Sequence, residues 1–370
     1  MAGQDAMDVT DTQRAPAETR FAEELARLAA ADRAPKPKGW HLSPHAVRRF
    51  ILGDPALSVA QKFFGDDPLV DRCIVSLMGH QGLMLVGEPG TAKSLLSELL
   101  AAGISGDSRL VVQGSAGVIE DHLRYGWNYA LLLAEGPSER ALVPSPILSA
   151  MRAGKIARIE ELTRCAPEVQ DAMISLLSEK TVSIPELGPG VESRALPGFN
   201  LIGTANLRDL GVHEMSSALK RRFNFETVRP IADPAFERAL VERQLVERMA
   251  DHAVAPEVEE ATLDILVSVF RDLRTGKTAE GASVTQPNSV MSTAEAVNVA
   301  HAAALDAAYL GRGAVGPDHI ARQIRGVVFK DDPEDARKLR AYVDTIAKAR
   351  GRSSRAWRAF QKAVKTDLDG

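Results

Sequence analysis

The chain has 370 residues, with 45 Lys and Arg against 49 Asp and Glu, a formal net charge of −4, and 45% hydrophobic residues. This is the composition of an ordinary globular protein, and the length predicts two or three domains. No uncharged apolar stretch reaches the roughly 18–20 residues of a membrane helix, and no secretory signal opens the chain. The two cysteines, Cys73 and Cys165, match no metal-binding spacing. We therefore expect a cytoplasmic protein that does not enter a membrane.

The predicted elements divide the chain into four parts. Residues 1–35 are polar and alanine-rich, which predicts a flexible leader with at most one short helix. Residues 36–230 alternate β-type with helix-type runs, which predicts a parallel sheet with helices on both faces. Residues 231–330 predict a small all-helical domain, and residues 331–370 predict a basic helical C-terminal segment. The strands predicted for the core are Leu83–Val86, Leu110–Gln113, Lys155–Ile159 and Phe199–Thr204.

A glycine-rich segment follows the first predicted strand and precedes a helical pattern. Its residues are Gly87, Glu88, Pro89, Gly90, Thr91, Ala92, Lys93, Ser94 and Leu95. Glycines allow backbone N–H groups to turn towards phosphate oxygens, and the helix adds its positive end. Lys93 would neutralise phosphate charge and Ser94 would bind Mg²⁺. Ala92 stands where a second glycine is usual, which is acceptable if this residue already has helical dihedral angles.

Polar side chains end two further apolar strands. Glu160 and Glu161 follow one of them, where the first acid would organise Mg²⁺ and the second would polarise an attacking water. The alternative is that these acids cap the next helix. Asn206 follows the other strand, and either holds the attacking water or the γ-phosphate or is a turn former.

Two arginines follow a short helical pattern after these strands. A guanidinium of Arg221 or Arg222 could stabilise transition-state charge on a nucleotide held by a neighbouring subunit. The alternative is that these basic residues complement a helix C-terminus.

In this order, the four elements resemble the AAA+ ATPases, and within them the MoxR and dynein-related branch, to which the gas-vesicle and nitric-oxide-reductase activating ATPases are similar. The resemblance covers residues 66–230 well and the helical region loosely. It rests on the segments GEPGTAKS, LVPSPILSAMRAGKIARIEELTRCAPEVQDAMISLLSEKTVSIPE, NLIGTAN and EMSSALKRRFNF. It implies an α/β fold, in which a P-loop NTPase αβα parallel-sheet core is followed by a small all-helical lid.

The resemblance also implies roles for the matching positions. Residues 87–95 would bind ATP, with Ser94 and Glu160 on the magnesium side. The catalytic residues would be Glu161 for water activation, Asn206 as the first sensor, and Arg222, or alternatively Arg221, as the finger acting on a neighbouring protomer. The family implies a homo-oligomer, a hexameric ring, that remodels or activates a client protein. A partner with a von Willebrand factor A domain is implied in the same way.

Two positions depart from the family pattern and leave other functions open. Glu160 replaces the usual Asp, and the sequence from Ser292 to Ala294 lacks the second-sensor arginine, for which Arg274 or Lys277 could substitute. These departures favour a nucleotide-gated assembly switch with little turnover as an alternative. The ten Lys and Arg between residues 336 and 366 suggest a nucleic-acid-associated motor or loader. The negative net charge and few aromatics nevertheless disfavour nucleic acid as a partner.

Overall fold

The computed structural model describes residues 14–206, 211–250, 252, 254, 256–311, 314–329 and 332–369. Two compact units make up the described chain. The first contains the residues up to Glu88 and from Ala92 to Arg229, and the second contains Pro89–Thr91 and the residues from Pro230 onward. No helix among the described residues is both long enough and apolar enough to cross a bilayer.

The first unit contains alternating strands and helices. Its strands are β1 (Gly82–Val86), β2 (Val111–Gln113), β3 (Tyr125–Trp127), β4 (Leu142–Pro144), β5 (Ile156–Glu160), β6 (Thr181–Ser183), β7 (Glu192–Arg194), β8 (Asn200–Ala205) and β9 (Phe223–Thr227). Its helices are α1 (Ala17–Arg20), α2 (Ala22–Ala31), α3 (Pro44–Leu52), α4 (Asp67–Met78), α5 (Lys93–Ser105), α6 (Tyr129–Glu135), α7 (Pro146–Ala153), α8 (Pro167–Ser178) and α9 (Ser217–Lys220). Short 3-10 turns lie at Pro55–Leu57, Glu120–His122, Leu162–Arg164 and Pro185–Leu187.

Among the described residues, five strands form one parallel sheet in the order β2-β5-β8-β1-β9. The four predicted core strands are confirmed as β1, β2, β5 and β8, with ends that differ by at most one residue. The edge strand β9 is absent from the sequence prediction, although Phe223 and Phe225 alternate with polar residues as in a half-buried strand. The pairs β3–β4 and β6–β7 are antiparallel hairpins outside this sheet.

Helices cover both faces of the sheet, and the alternation of side chains along β1 shows how. Leu83 and Leu85 belong to the buried cluster that includes α3, α4 and α5. Met84 and Val86 belong to the cluster that includes α7 and α8. Successive strand residues point to opposite faces, so a strand buried on both sides is continuously apolar. The predicted α/β fold class is thereby confirmed.

The prediction of a flexible leader over residues 1–35 is corrected for its described part. Helices α1 and α2 pack on the first unit, with Ala17, Leu25 and Leu28 buried. The apolar residues of α2 form a stripe at helical spacing, and burying that stripe repays the entropy of ordering the segment. Residues 1–13 lie outside the described part of the chain.

Ion pairs attach this leader to the helix that begins at the glycine-rich loop. Glu98 of α5 is 5% exposed and accepts hydrogen bonds from Arg14 at 3.2 Å and Arg20 at 3.1 Å. Lys62, which is also buried, pairs with Glu24 of α2. Buried charges are retained in proteins when they are paired in this way.

The second unit is mainly helical. Its helices are α10 (Pro234–Met249), α11 (Glu260–Thr275), α12 (Thr293–Leu305), α13 (Pro317–Ile324), α14 (Pro333–Tyr342), α15 (Lys348–Arg350) and α16 (Arg355–Asp369). Single π-helical turns lie at Asp306–Leu310, Arg325–Phe329 and Val343–Ala347. The prediction of an all-helical region needs one small correction, because β10 (Glu257–Val258) and β11 (Ala314–Val315) form a short parallel pair.

The basic C-terminal segment is part of this second unit, which corrects the predicted boundary at residue 331. Leu339, Tyr342, Phe360 and Val364 lie in one hydrophobic cluster with residues of α11, α12 and α13. The apolar residues of the segment recur on one side of its helices, so the segment buries that side and exposes its basic side. The lid and the C-terminal segment therefore share one core.

Replacing Phe360 with alanine tests that shared core. Phe360 is fully buried, so we expect the variant to lose about 3–5 kcal/mol of unfolding free energy. Urea unfolding followed by circular dichroism measures the loss. The matched control is Lys362→Ala on the exposed side of α16, for which we expect a change within about 0.5 kcal/mol. Equal stabilities of the two variants would show that α16 is not part of the core.

Candidate active site

The carboxyl edge of the parallel sheet brings the predicted site residues together. Strands β1 and β8 pair up to their last residues, so Gly87 and Asn206 leave the sheet side by side. On the next strand, Glu160 lies beside Thr204 of β8 and is hydrogen-bonded to it. Glu161 follows at the same edge. Ligands of open parallel sheets bind at this edge, and here both acids and the glycine-rich loop reach it.

Lys93 spans the beginning of the glycine-rich loop. Its Nζ donates to the main-chain oxygens of Gly87 at 2.9 Å and Glu88 at 2.7 Å. Burial lowers the pKa of Lys93, while the carboxylates of Glu161, Glu160 and Glu88 oppose this change. The ammonium group is thus held over the loop, where it can move from carbonyl oxygens to a phosphate.

The backbone of the loop contradicts the expectation for Ala92. Its φ of 66° and ψ of 25° are left-handed, not helical, and α5 begins one residue later. Gly90 also has a positive φ, of 74°. A left-handed alanine costs about 1 kcal/mol, which explains why glycine is usual at this position. Of the remaining residues in the predicted loop, Pro89–Thr91 group with the second unit. Ser94 and Leu95 lie in the first turn of α5.

Glu160 is buried and fully hydrogen-bonded. Its Oε2 accepts from Ser94 Oγ at 2.7 Å and Thr204 Oγ1 at 2.8 Å, and its Oε1 accepts from Ser97 Oγ at 2.6 Å and Arg158 Nη2 at 2.7 Å. Burial raises the pKa of Glu160, but these hydrogen bonds and the charge of Arg158 outweigh burial and hold the pKa below its usual value. The carboxylate is therefore ionised and fixed in one orientation.

The residues that meet at Glu160 suit a magnesium ion. The hydroxyl of Ser94 and the carboxylate of Glu160 are hard oxygen donors, the class that Mg²⁺ prefers. Magnesium usually takes one or two protein oxygens and completes its shell with waters and substrate phosphates. Ser94 and Glu160, 2.7 Å apart between Oγ and Oε2, fit that requirement.

Glu161 has a strained backbone at the end of β5. Its φ of 54° and ψ of 46° are left-handed, a conformation that non-glycine residues adopt rarely and that concentrates at functional sites. Its N–H donates to Thr204 Oγ1 at 2.9 Å, and its side chain, about half exposed, pairs with Arg164. The alternative that the acids cap the next helix is contradicted for Glu161, because its side chain makes no capping hydrogen bond. The strained turn directs its carboxylate out of the sheet edge instead.

Three residues of this site were not identified from the sequence. Thr204 connects the two acids, because its hydroxyl donates to Glu160 and accepts from the N–H of Glu161. Gly114 lies so close that a Cβ there would be 2.3 Å from the main-chain oxygen of Glu161. Arg158, 8% exposed, is a charged residue within an apolar strand, and such a residue needs a buried partner. A charged residue within an apolar strand was therefore the sequence signal from which Arg158 could have been identified.

The two candidate finger arginines lie near the amino ends of the sheet strands, opposite the carboxyl ends where the acids and the glycine-rich loop lie. The main-chain oxygen of Arg222 accepts from the N–H of Gly82, at the start of β1, whereas the glycine-rich loop follows the end of β1. About 13 Å of strand separates these two ends. Arg222 donates to Ser178 Oγ at 2.8 Å and to the oxygen of Ala218 at 2.7 Å, while Arg221 is exposed. Neither arginine is placed beside the acids of its own chain.

In the second unit, Arg274 forms a buried ion pair. Its guanidinium donates to Glu237 at 2.7 and 2.9 Å and to the oxygen of Met291 at 3.0 Å. Thr293 at the start of α12 donates to the same carboxylate at 2.6 Å. Arg274 thus stabilises the start of α12, the position where the family has its second-sensor arginine. Lys277, the other residue that could substitute for that arginine, is exposed.

This fold and this sheet edge define a P-loop protein of the AAA+ class. Residues 82–223 match the model of the AAA domain of the dynein-related subfamily. Residues 235–366 match the model of the YehL-like AAA+ ATPase C-terminal domain. The chain belongs to the family of YehL-like AAA+ ATPases.

The chain is also similar to individual proteins. The chain is 48% identical over 352 residues to the uncharacterized protein YehL of Escherichia coli (strain K12), covering 95% of this chain and 96% of that protein. It is 24% identical over 197 residues to an uncharacterized protein of Staphylococcus aureus (strain NCTC 8325 / PS 47), covering 53% of this chain and 69% of that one. Among solved structures, RuvB of Thermotoga maritima matches with a TM-score of 0.45 and 15% identity over 78% of each chain.

Proposed function

We propose that this chain hydrolyses ATP with Mg²⁺ as one protomer of a cytoplasmic homo-oligomeric ring, and that the ring remodels a partner protein. The observation that supports hydrolysis best is the meeting of Lys93, Glu160 and Glu161 at one sheet edge. Lys93 would move to the β/γ-phosphates, and Ser94 and Glu160 would hold the metal. The metal, when bound, would neutralise phosphate charge. Glu161 would orient and deprotonate water, and Asn206 would contact the same reacting region.

Ring formation is supported by the position of the arginines. Arg221 and Arg222 lie where they cannot serve the glycine-rich loop of their own chain, so either of them would have to act on the site of a neighbouring protomer. In this class of reaction a guanidinium supplied by a neighbour stabilises the charge of the transferred phosphoryl group. We propose Arg222 for this role, with Arg221, the more exposed of the two, as the alternative.

The client protein is proposed by class only. The resemblance of the sequence to the MoxR branch suggests a client that is remodelled or activated, together with a partner that has a von Willebrand factor A domain. The alternative of a nucleic-acid motor has less support, because several C-terminal cations are used in internal ion pairs. Arg350 pairs with Asp272 and with Glu280, each at 2.8 Å, and Lys365 pairs with Asp344.

Mixing two inactive variants tests the shared site. The Glu161→Gln variant lacks the acid that would activate water but keeps both arginines. The Arg222→Ala variant lacks the proposed finger but keeps both acids. Each variant alone should therefore release phosphate slowly. When the two are combined in equal amounts before nucleotide is added, about a quarter of the interfaces pair an intact site with an intact arginine, and activity should return to about that fraction. Phosphate release at steady state is the measurement.

The same mixture with Arg221→Ala in place of Arg222→Ala shows which arginine acts. Recovery with only one of the two variants assigns the role to that arginine. Absence of recovery with either variant, or full activity of both arginine variants alone, would contradict a site shared between protomers.

A further inference from the structure

Arg158 is a buried cation beside Glu160, the acid proposed to hold a metal ion. It lies on β5 two residues before Glu160, is 8% exposed, and donates from Nη2 to Glu160 Oε1 at 2.7 Å. Glu160 itself is 5% exposed. A charged side chain buried to this degree is stable only when an opposite charge faces it, and here the two form a closed pair.

The guanidinium cannot easily move away from this pair. Its Nε donates to Ser97 Oγ at 3.0 Å, its Nη1 donates to the oxygen of Ser108 at 2.9 Å, and its Nη2 also lies 3.3 Å from the oxygen of Ser94. These contacts connect β5 with α5 and with the segment before β2. Arg158 is therefore fixed from three sides, and its planar group matches that arrangement in a way lysine cannot.

The two oxygens of Glu160 consequently have different surroundings. Oε1 faces Arg158 and Ser97, whereas Oε2 faces Ser94 and Thr204. Ser94 is the hydroxyl proposed to bind magnesium. Only Oε2 is thus presented to the metal, and the charge of the carboxylate is already balanced by the guanidinium.

We propose that Arg158 is the internal counter-ion of Glu160 and lowers the magnesium affinity of the nucleotide site, because guanidinium and metal compete for the same carboxylate charge. Without the metal, Arg158 holds the carboxylate of Glu160 in one orientation. With the metal, the positive charge of Arg158 remains close and opposes binding. Removing it leaves an uncompensated acid, which a divalent ion can then neutralise. Arg158 is in this view a positioning residue, and the inference rests on the proposed binding of Mg²⁺ with ATP.

A magnesium titration of nucleotide binding tests this inference without measuring turnover. A fluorescent non-hydrolysable ATP analogue is held at fixed concentration, and MgCl₂ is varied. For Arg158→Met we expect the half-saturating Mg²⁺ concentration to fall by about tenfold, whereas the nucleotide affinity measured in EDTA should not rise. The matched control is Lys155→Met, one residue before β5. The Lys155 ammonium pairs with Asp107 at 3.0 Å, and its removal should leave the titration unaltered.

The same titration in a Glu160→Gln variant tests whether the effect of Arg158 depends on its pairing with Glu160. In Glu160→Gln the acid charge is gone, so adding Arg158→Met should not lower the half-saturating Mg²⁺ concentration. If Arg158→Met does not fold, Arg158→Gln, whose amide can still donate to Ser108, carries the same expectation. An unchanged or raised half-saturating concentration in the single variant, or an equal fall in both backgrounds, overturns the inference. If the wild-type chain binds no nucleotide at all, the proposed function fails instead, so the two failures are distinguishable.

Discussion

Replacing Lys93 with alanine is expected to weaken binding of ATP about 100-fold, which corresponds to about 2–3 kcal/mol for a lost charge-assisted contact. The ammonium group of Lys93 donates to main-chain oxygens of the loop, at 2.7 and 2.9 Å. A triphosphate offers it formal negative charge in exchange. Equilibrium titration with a fluorescent ATP analogue gives the dissociation constant directly.

The control for this variant is a lysine of similar exposure that lies away from the loop. Lys155→Ala removes a half-buried ammonium that pairs with Asp107, and we expect its nucleotide affinity to match the wild type. Thermal unfolding of both variants shows whether either has lost its fold. Undiminished affinity of a folded Lys93→Ala chain would refute the assignment of the loop as a phosphate-binding element.

Replacing Glu161 with glutamine is expected to lower the turnover number about 1000-fold while nucleotide affinity stays within about twofold of the wild type. Glutamine has the shape of glutamate but cannot accept a proton from water. The carboxylate of Glu161 is about half exposed at the sheet edge, so its loss leaves no buried charge unpaired. Phosphate release and analogue binding, measured on the same preparation, separate chemistry from affinity.

This variant also decides between an ATPase and a nucleotide-gated switch. Glu168→Gln, an exposed acid in the first turn of α8, is the control and should turn over like the wild type. Equal and negligible phosphate release by wild type and Glu161→Gln would favour the switch. A large difference between them would support hydrolysis as the working function.

The parallel core and the position of the main site residues could be predicted from the sequence because they depend on local signals. Continuous apolar runs identify strands buried on both faces, and polar residues directly after those runs must emerge at the carboxyl edge. Glu160 and Glu161 reach the predicted edge for this reason. The glycine-rich loop likewise has its chemistry within eight consecutive residues.

The rest depends on contacts between distant parts of the chain. From the sequence, Arg158 is only a charged residue within the apolar strand β5. Its role depends on Ser97, which lies 61 positions earlier in the chain and accepts a hydrogen bond from it. The left-handed backbone of Ala92 is set by the turn into α5, and the residue types of this segment do not predict it. The leader is predicted to be flexible because Leu25 and Leu28 are buried in a hydrophobic cluster with residues of α3, α4 and α5, which lie later in the chain. Such features become visible only when the elements are packed.

The attachment of the leader has a practical bearing on how this protein is prepared. A chain trimmed to begin at residue 36 would lose Arg14 and Arg20, the two arginines that pair with Glu98 of α5, five residues after Lys93. It would also lose the buried side chains of Ala17, Leu25 and Leu28, and so expose apolar surface of the cluster to which α5 belongs. Shortened chains would therefore have a disturbed first unit, and differences in their nucleotide binding would be misattributed to the loss of a flexible leader.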